Sequence, residues 1–207
     1  MYAVVDAEVA AAHGWTVVDL AAAVLEGGAR LVQVRAKSFS SAELLEVSRQ
    51  VVALAAPLGA AVVVNDRADV AVLAGAAGVH VGQDDLSPAD ARAIVGPAAL
   101  LGVSTHTPEQ IAEAARAPIS YLAIGPVFDT ATKRTGHAAV GLPGVREAAA
   151  TSRQVVAIGG VTLDRVGDVI AAGATSVAVI TDLLVGADPA ARTRAFVDAA
   201  AAAGAAI

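Results

Sequence analysis

Short apolar runs recur along the chain, separated by longer stretches in which apolar residues return every three or four positions. The runs are Tyr2 to Val5, Leu31 to Val34, Ala61 to Val64, Gly78 to Val81, Leu100 to Val103, Tyr121 to Ile124, Val155 to Ile158 and Ser176 to Ile180. Their length and Val content predict strands, and the stretches between them predict helices. Helix starts are marked by Thr16, Ser40 with Glu43 as a capping box, Ser87-Pro88, Thr107-Pro108 with Gln110, Thr162 and Asp188-Pro189. Gly28, Gly59, Gly75, Gly96 and Gly173 fall where helices should end. Each strand is followed by a helix, so successive strands need crossovers and pair in parallel. Eight such units in 207 residues predict a single (β/α)8 TIM barrel over residues 1–207. An open doubly wound sheet is the alternative, and it would need a glycine-rich phosphate loop after an early strand. The chain has neither a G-x-G-x-x-G nor a Walker A pattern.

One run breaks the apolar rule. In "LVQVRAK", Leu31 to Lys37, the residues Gln33, Arg35 and Lys37 are spaced by two and share one face of the strand. Polar residues gather after the other strands too: Asn65 and Asp66; Gln83, Asp84 and Asp85; Ser104 and His106; Thr130, Thr132 and Lys133; Gly159 and Gly160; Thr181. A barrel of this type builds its site at those strand ends. The two lysines, Lys37 and Lys133, and the one asparagine, Asn65, all lie there.

Composition narrows the chemistry. The chain is 56% hydrophobic, with a mean hydropathy of +0.64, enough for a large core. No run of about 18 uncharged apolar residues suits a membrane span, and "MYAVVDAEVA" lacks the basic and apolar regions of a secretory signal. A soluble cytoplasmic protein without membrane partners is therefore expected. The absence of cysteine excludes disulfides, thiolate metal sites and cysteine nucleophiles. A net charge of −6 and a pI near 5.1 argue against nucleic acid as a partner. Any bound anion must be met by a local site.

An ammonium and a guanidinium on one strand, Lys37 and Arg35, suit a polyphosphate. Asp66 and Asp85 converge from adjacent strands and suit Mg²⁺ held against a diphosphate, although Asp66 before "RADVAVLAGA" also reads as a helix cap. "AIGG" and "AVIT", ending at Thr181, resemble the phosphate pocket that barrels form after strands seven and eight. A Gly-Gly pair also serves plain turns.

The segments "LVQVRAK", "VVNDRADVA", "GVHVGQDDL", "LGVSTHT", "IGPVFDTATK", "VVAIGG" and "VAVIT" together resemble the thiamine phosphate synthase family, in order and spacing, from Tyr2 to about Phe196. The resemblance implies a transferase with two small-molecule substrates. It joins 4-amino-2-methyl-5-pyrimidinylmethyl diphosphate to a hydroxyethylthiazole phosphate, plain or carboxylated, and releases pyrophosphate. By similarity Gln33 contacts the pyrimidine, and Arg35, Lys37, Asn65 and Lys133 hold the diphosphate. Asp66 and Asp85 match magnesium ligands, and Ser104 a serine near the aminopyrimidine and leaving group. Thr130, Thr132, Gly160, Ile180 and Thr181 match the thiazole phosphate side. The aminopyrimidine stabilises the cation left when the diphosphate departs, so the protein needs to neutralise charge on the leaving group, with Arg35, Lys37 and Lys133 suited to that, and needs no nucleophile of its own. Whether the chain forms a homodimer is left open.

Several positions depart from the family: Ala36 where an acid is usual, Val5 for threonine, Asp129 for proline and Thr181 for serine. Asp129 should point away from the bound anions or weaken them. The segment from Asp129 to Ala139 has few apolar anchors and should order over substrate. His80 reads as a hydrogen-bonded packing residue, Trp15 as packing, and His13 and His137 as exposed. His106 is shared with the related thiazole tautomerases, which gives a second reading, isomerisation of the thiazole carboxylate without metal. A non-catalytic phosphate-ligand sensor on the same barrel is a third.

Overall fold

The computed structural model describes residues 1–130 and 136–205. Eight strands form its centre: β1 (Tyr2–Asp6), β2 (Leu31–Arg35), β3 (Ala61–Asn65), β4 (Gly78–Val81), β5 (Leu100–Thr105), β6 (Tyr121–Ile124), β7 (Gln154–Ile158) and β8 (Ser176–Val179). Around them run α1 (Ala7–Ala12), α2 (Val17–Glu26), α3 (Ser41–Ala55), α4 (Ala68–Ala74), α5 (Pro88–Val95), α6 (Pro108–Arg116), α7 (Gly141–Ala149), α8 (Val166–Ala171) and α9 (Pro189–Ala202). Each strand pairs in parallel with the next, and β8 returns to β1 through Tyr2↔Ala178 and Ala3↔Val179, closing the barrel. Among the described residues no helix is long and apolar enough to cross a membrane.

The strand period of two divides the side chains into two cores. Ala3, Val5, Val32, Val34, Val62, Val64, Val79, Leu101 and Leu122 face outward and pack under the helices, almost wholly buried. Each such aliphatic side chain contributes roughly 1.5–3 kcal/mol by leaving water. Tyr2, Val4, Val63, Tyr121, Ala123, Val156 and Ala178 face inward and fill the barrel.

The caps behave as their chemistry dictates. Thr16 accepts from the Asp19 N–H, Ser87 from Asp90, Thr107 from Gln110 and Asp188 from Ala191. Ser40 and Glu43 make both halves of the capping box. Thr162 differs from expectation: it is followed by a 3₁₀ turn, Leu163–Arg165, and caps no backbone N–H, because its hydroxyl bonds the Asp164 carboxylate instead. Four strands also run past their apolar patterns. β1, β2, β3 and β5 end in Asp6, Arg35, Asn65 and Thr105, polar residues that stay in the ladder, with Asp6 opposite Arg35 and Asn65 opposite His80.

Gly102 on β5 lies opposite Tyr121, and a Cβ there would sit 2.1 Å from the Tyr121 ring. The tyrosine occupies the space the glycine leaves. Gly102→Ala is expected to cost about 1–3 kcal/mol through overpacking, read as a lowered urea midpoint with an unchanged slope; an unchanged midpoint would show that the ring moves freely.

Candidate active site

A cavity of about 300 Å³ opens where the carboxyl ends of the strands converge. Gln33, Arg35, Asn65 and Ser104 line one part of it. Thr130, Gly160, Ile180 and Thr181 line another, with His106 also on the wall. Lys37, Asp66 and Asp85 stand at the rim outside this lining. Thr132 and Lys133 lie outside the described residues.

On the rim every described cation has an acid. The Arg35 guanidinium pairs with Asp6, which is 2% exposed and whose other oxygen accepts from the Val9 N–H to cap α1. Glu8 stands 3.9 Å from the same guanidinium and accepts from the Ser38 N–H, tying α1 to the loop after Lys37. Lys37 Nζ is 3.0 Å from Asp66 Oδ2. Ala36, between Arg35 and Lys37 in the sequence, is buried in the apolar core and brings no charge to the rim. The acids at Arg35 come from the first strand and helix instead.

Asp66 is not a helix cap. The residue at the N-terminus of α4 is Arg67, with no side-chain cap bond, while Asp66 adopts φ +64° in the left-handed region. Its N–H donates to the His80 carbonyl at 2.7 Å, and its carboxylate is turned to Lys37 and Asp85. Burial first, and then the neighbouring Asp85, push the Asp66 carboxyl above the usual aspartate value, against the opposing pull of Lys37. Asp85 also accepts from the Gly82 N–H at 2.7 Å, closing the loop after β4. Two carboxylates pressed together beside open solvent form hard oxygen ligands for a small divalent cation. Among the described residues no group of three or more acidic or histidine side chains gathers, so the remainder of such a cation's shell would be phosphate oxygen and water, as Mg²⁺ prefers.

Inside the cavity runs a chain of hydrogen bonds. Gln33 Nε2 donates to Tyr2 Oη (2.7 Å), which lies 3.0 Å from Tyr121 Oη. Tyr121 Oη is 3.1 Å from His80 Nδ1, and His80 Nε2 is 2.9 Å from Ser104 Oγ. Burial pushes both phenols above their ordinary values, so both stay protonated. His80 is thus buried and hydrogen-bonded as its sequence position suggested, but it also lines the cavity.

On the far side, Gly159 and Gly160 have φ +95° and +64°. A Cβ on the first would meet Pro126 at 2.6 Å and on the second the Asp129 carbonyl at 2.7 Å. Backbone conformation and close approach therefore require glycine here, independently of any ligand. Arg165 holds the Gly160 carbonyl at 2.8 Å while lying over the Phe128 ring. Asp129 is exposed and does not line the cavity. His106 bonds the Gly125 carbonyl through Nδ1, and His137, exposed as expected, stacks on it at 4.5 Å. Trp15 packs on the core and His13 is exposed.

A closed (β/α)8 barrel with cations, amides and hydroxyls around one end and an acidic pair on the rim has the make-up of an anion-handling site. Comparison with known proteins makes the class specific. The chain belongs to the thiamine monophosphate synthase family, whose sequence profile matches residues 1–183. It is 46% identical over 199 residues to a thiamine-phosphate synthase of Koribacter versatilis, covering 95% of this chain and 93% of that one. A second relative of that name, from Xanthobacter autotrophicus, is 43% identical over 198 residues, with 95% and 92% covered. Among solved structures, thiamine phosphate pyrophosphorylase from Pyrococcus furiosus superposes with a TM-score of 0.89 at 28% identity, covering 98% of this chain and 96% of that one.

The sequence reading passed over Tyr2, Tyr121, Asp6 and Glu8. A signal was present for three: the chain has two tyrosines, and Tyr2, Asp6 and Tyr121 all fall on the inward parity of their strands.

A raised Asp66 carboxyl has a thermodynamic consequence. The folded state binds the proton more tightly than the unfolded chain, so stability falls as pH rises from the ordinary aspartate value through the raised one, and the deficit persists above it. Asp66→Asn, a residue that tolerates positive φ, should raise the urea midpoint at pH 7 in metal-free buffer and leave it little changed at pH 3. An equal effect at both values would show that ionisation is not the cause.

Proposed function

We propose that this protein makes thiamine phosphate by transferring a 4-amino-2-methyl-5-pyrimidinylmethyl group from its diphosphate to the nitrogen of a hydroxyethylthiazole phosphate, releasing pyrophosphate. The observation that carries the reading is the juxtaposition, in a member of this family, of the cationic rim with an acidic pair beside one continuous cavity. The cavity is large enough for flat rings, and its two polar ends are far apart in the chain: strands β2 to β5 supply one and the loops after β6, β7 and β8 the other.

In this reading Gln33 and Ser104 hold the aminopyrimidine, while Arg35, Lys37, Asn65 and Lys133 hold its diphosphate. Thr130, Thr132, Gly160, Ile180 and Thr181 take the thiazole phosphate. Asp66 and Asp85 would hold Mg²⁺, whose chemistry when bound is to neutralise charge on the leaving diphosphate. Arg35 and Lys37 add fixed positive charge at the same place, with Arg35 steadied by Asp6 so that little reorganisation is needed as the bond breaks. The thiazole nitrogen brings its own lone pair, and the protein contributes orientation by holding both rings in one cavity. A thiazole tautomerase acting without metal would have no use for the acidic pair, and a phosphate sensor would bind without turnover.

With both substrates present, pyrophosphate release should require Mg²⁺ in the wild type, and Asp85→Ala should raise the Mg²⁺ concentration needed by about tenfold or more, the equivalent of one lost ligand contact. Release that is indifferent to Mg²⁺ and to Asp85→Ala would remove the metal from the reading. Arg35→Lys should lower kcat/KM by about 10- to 100-fold, because an ammonium cannot serve Asp6 and a phosphate with one planar fork; full activity would exclude Arg35 from the diphosphate site.

A further inference from the structure

We propose that Gln33, Tyr2, Tyr121, His80 and Ser104 form one directional hydrogen-bond chain across the barrel, in which Tyr2, Tyr121 and His80 are positioning residues that present Gln33 Oε1 as an acceptor and the Ser104 hydroxyl as a donor to the pyrimidine diphosphate. The inference rests on the reaction proposed above.

The direction follows from counting protons. The amide N–H of Gln33 can only donate, so Tyr2 Oη accepts it. Tyr2, 1% exposed, must place its own proton, and the acceptor within reach among the described residues is Tyr121 Oη. Tyr121 then donates to His80 Nδ1, which must carry a lone pair. The neutral ring therefore bears its hydrogen on Nε2, which donates to Ser104 Oγ. Ser104 accepts inside the wall, and its hydroxyl hydrogen is turned toward the cavity it lines. The opposite direction would leave the Tyr2 proton without an acceptor among the described residues, because Gln33 already donates to that oxygen; a buried donor left unpaired is costly. Gln33 governs the whole chain: turning its amide over would reverse every bond and present an N–H at one end and a committed hydroxyl at the other.

The polarity suits the charges of the reaction. As the carbon–oxygen bond breaks, its electron pair leaves with the diphosphate oxygen, and positive charge spreads through the ring to the amino group. The amino N–H becomes a stronger donor, met by Gln33 Oε1, while the leaving oxygen becomes a stronger acceptor, met by the Ser104 hydroxyl. The thiazole nitrogen's lone pair then forms the carbon–nitrogen bond, and no proton is transferred. Both contacts strengthen as charge develops, which is what lowers a barrier.

The test reads the tautomer of His80 in ¹⁵N-labelled, ligand-free protein from two-bond ¹H–¹⁵N correlations, with the His80 signals assigned by their loss in His80→Asn. The expected form is neutral with hydrogen on Nε2. Tyr121→Phe, which removes one oxygen and keeps the ring, should release Nδ1 and give mixed tautomers, lower kcat about tenfold and change KM for the diphosphate substrate less than about threefold. Hydrogen on Nδ1 in the wild type, or a Tyr121→Phe protein with unchanged tautomer and kcat, would overturn the inference. An Nε2–H tautomer in a protein that forms no thiamine phosphate would support the chain's direction and overturn the reading of the reaction.

Discussion

Closing eight parallel strands into a ring sends every second side chain into a space with little water, and each polar group placed there has to find a partner inside the ring. Gln33, His80, Ser104 and the two tyrosines all meet this demand with one another. The same constraint sets where chemistry can occur. Val4, Val156 and Ala178 give the cavity apolar wall beside that chain, while at the strand ends charged groups reach solvent and can meet anions.

Charge on the rim is balanced before any ligand arrives. Arg35 answers to Asp6 and Glu8, and Lys37 to Asp66, while Asp66 and Asp85 repel one another. In the proposed reaction a diphosphate entering here would compete with Asp66 for Lys37. A divalent cation on the acidic pair would resolve that competition, since it satisfies both carboxylates and leaves the ammonium for the phosphate. The buried Asp6 differs from Glu8 in this respect: its two oxygens are committed to Arg35 and to the cap of α1, so it fixes the guanidinium rather than contesting it.

Much of the architecture was legible because Val-rich runs and Ser, Thr and Asp caps act locally, and local rules survive folding. The rim was legible because a barrel's strand ends are known once its strands are. The partners of Arg35 were not, since Asp6 meets it only through the β1–β2 register, which alternation of apolar and polar residues does not supply. Tyr2 and Tyr121 were hidden for another reason: a buried aromatic on a strand looks like core, and only the closed ring brings two hydroxyls from β1 and β6 within 3.0 Å. The stacking of His137 on His106 is a contact between residues 31 apart in the sequence, which no periodicity encodes.

The most direct measurement is the identity of the organic product. Pyrimidinylmethyl diphosphate and hydroxyethylthiazole phosphate, incubated with the folded protein and Mg²⁺, should give thiamine phosphate, recognised by its mass and by oxidation to the fluorescent thiochrome phosphate, in equal amount to the pyrophosphate released. Pyrophosphate appearing with only the free pyrimidine alcohol, or a folded protein that leaves both substrates intact beside an active control, would contradict the account.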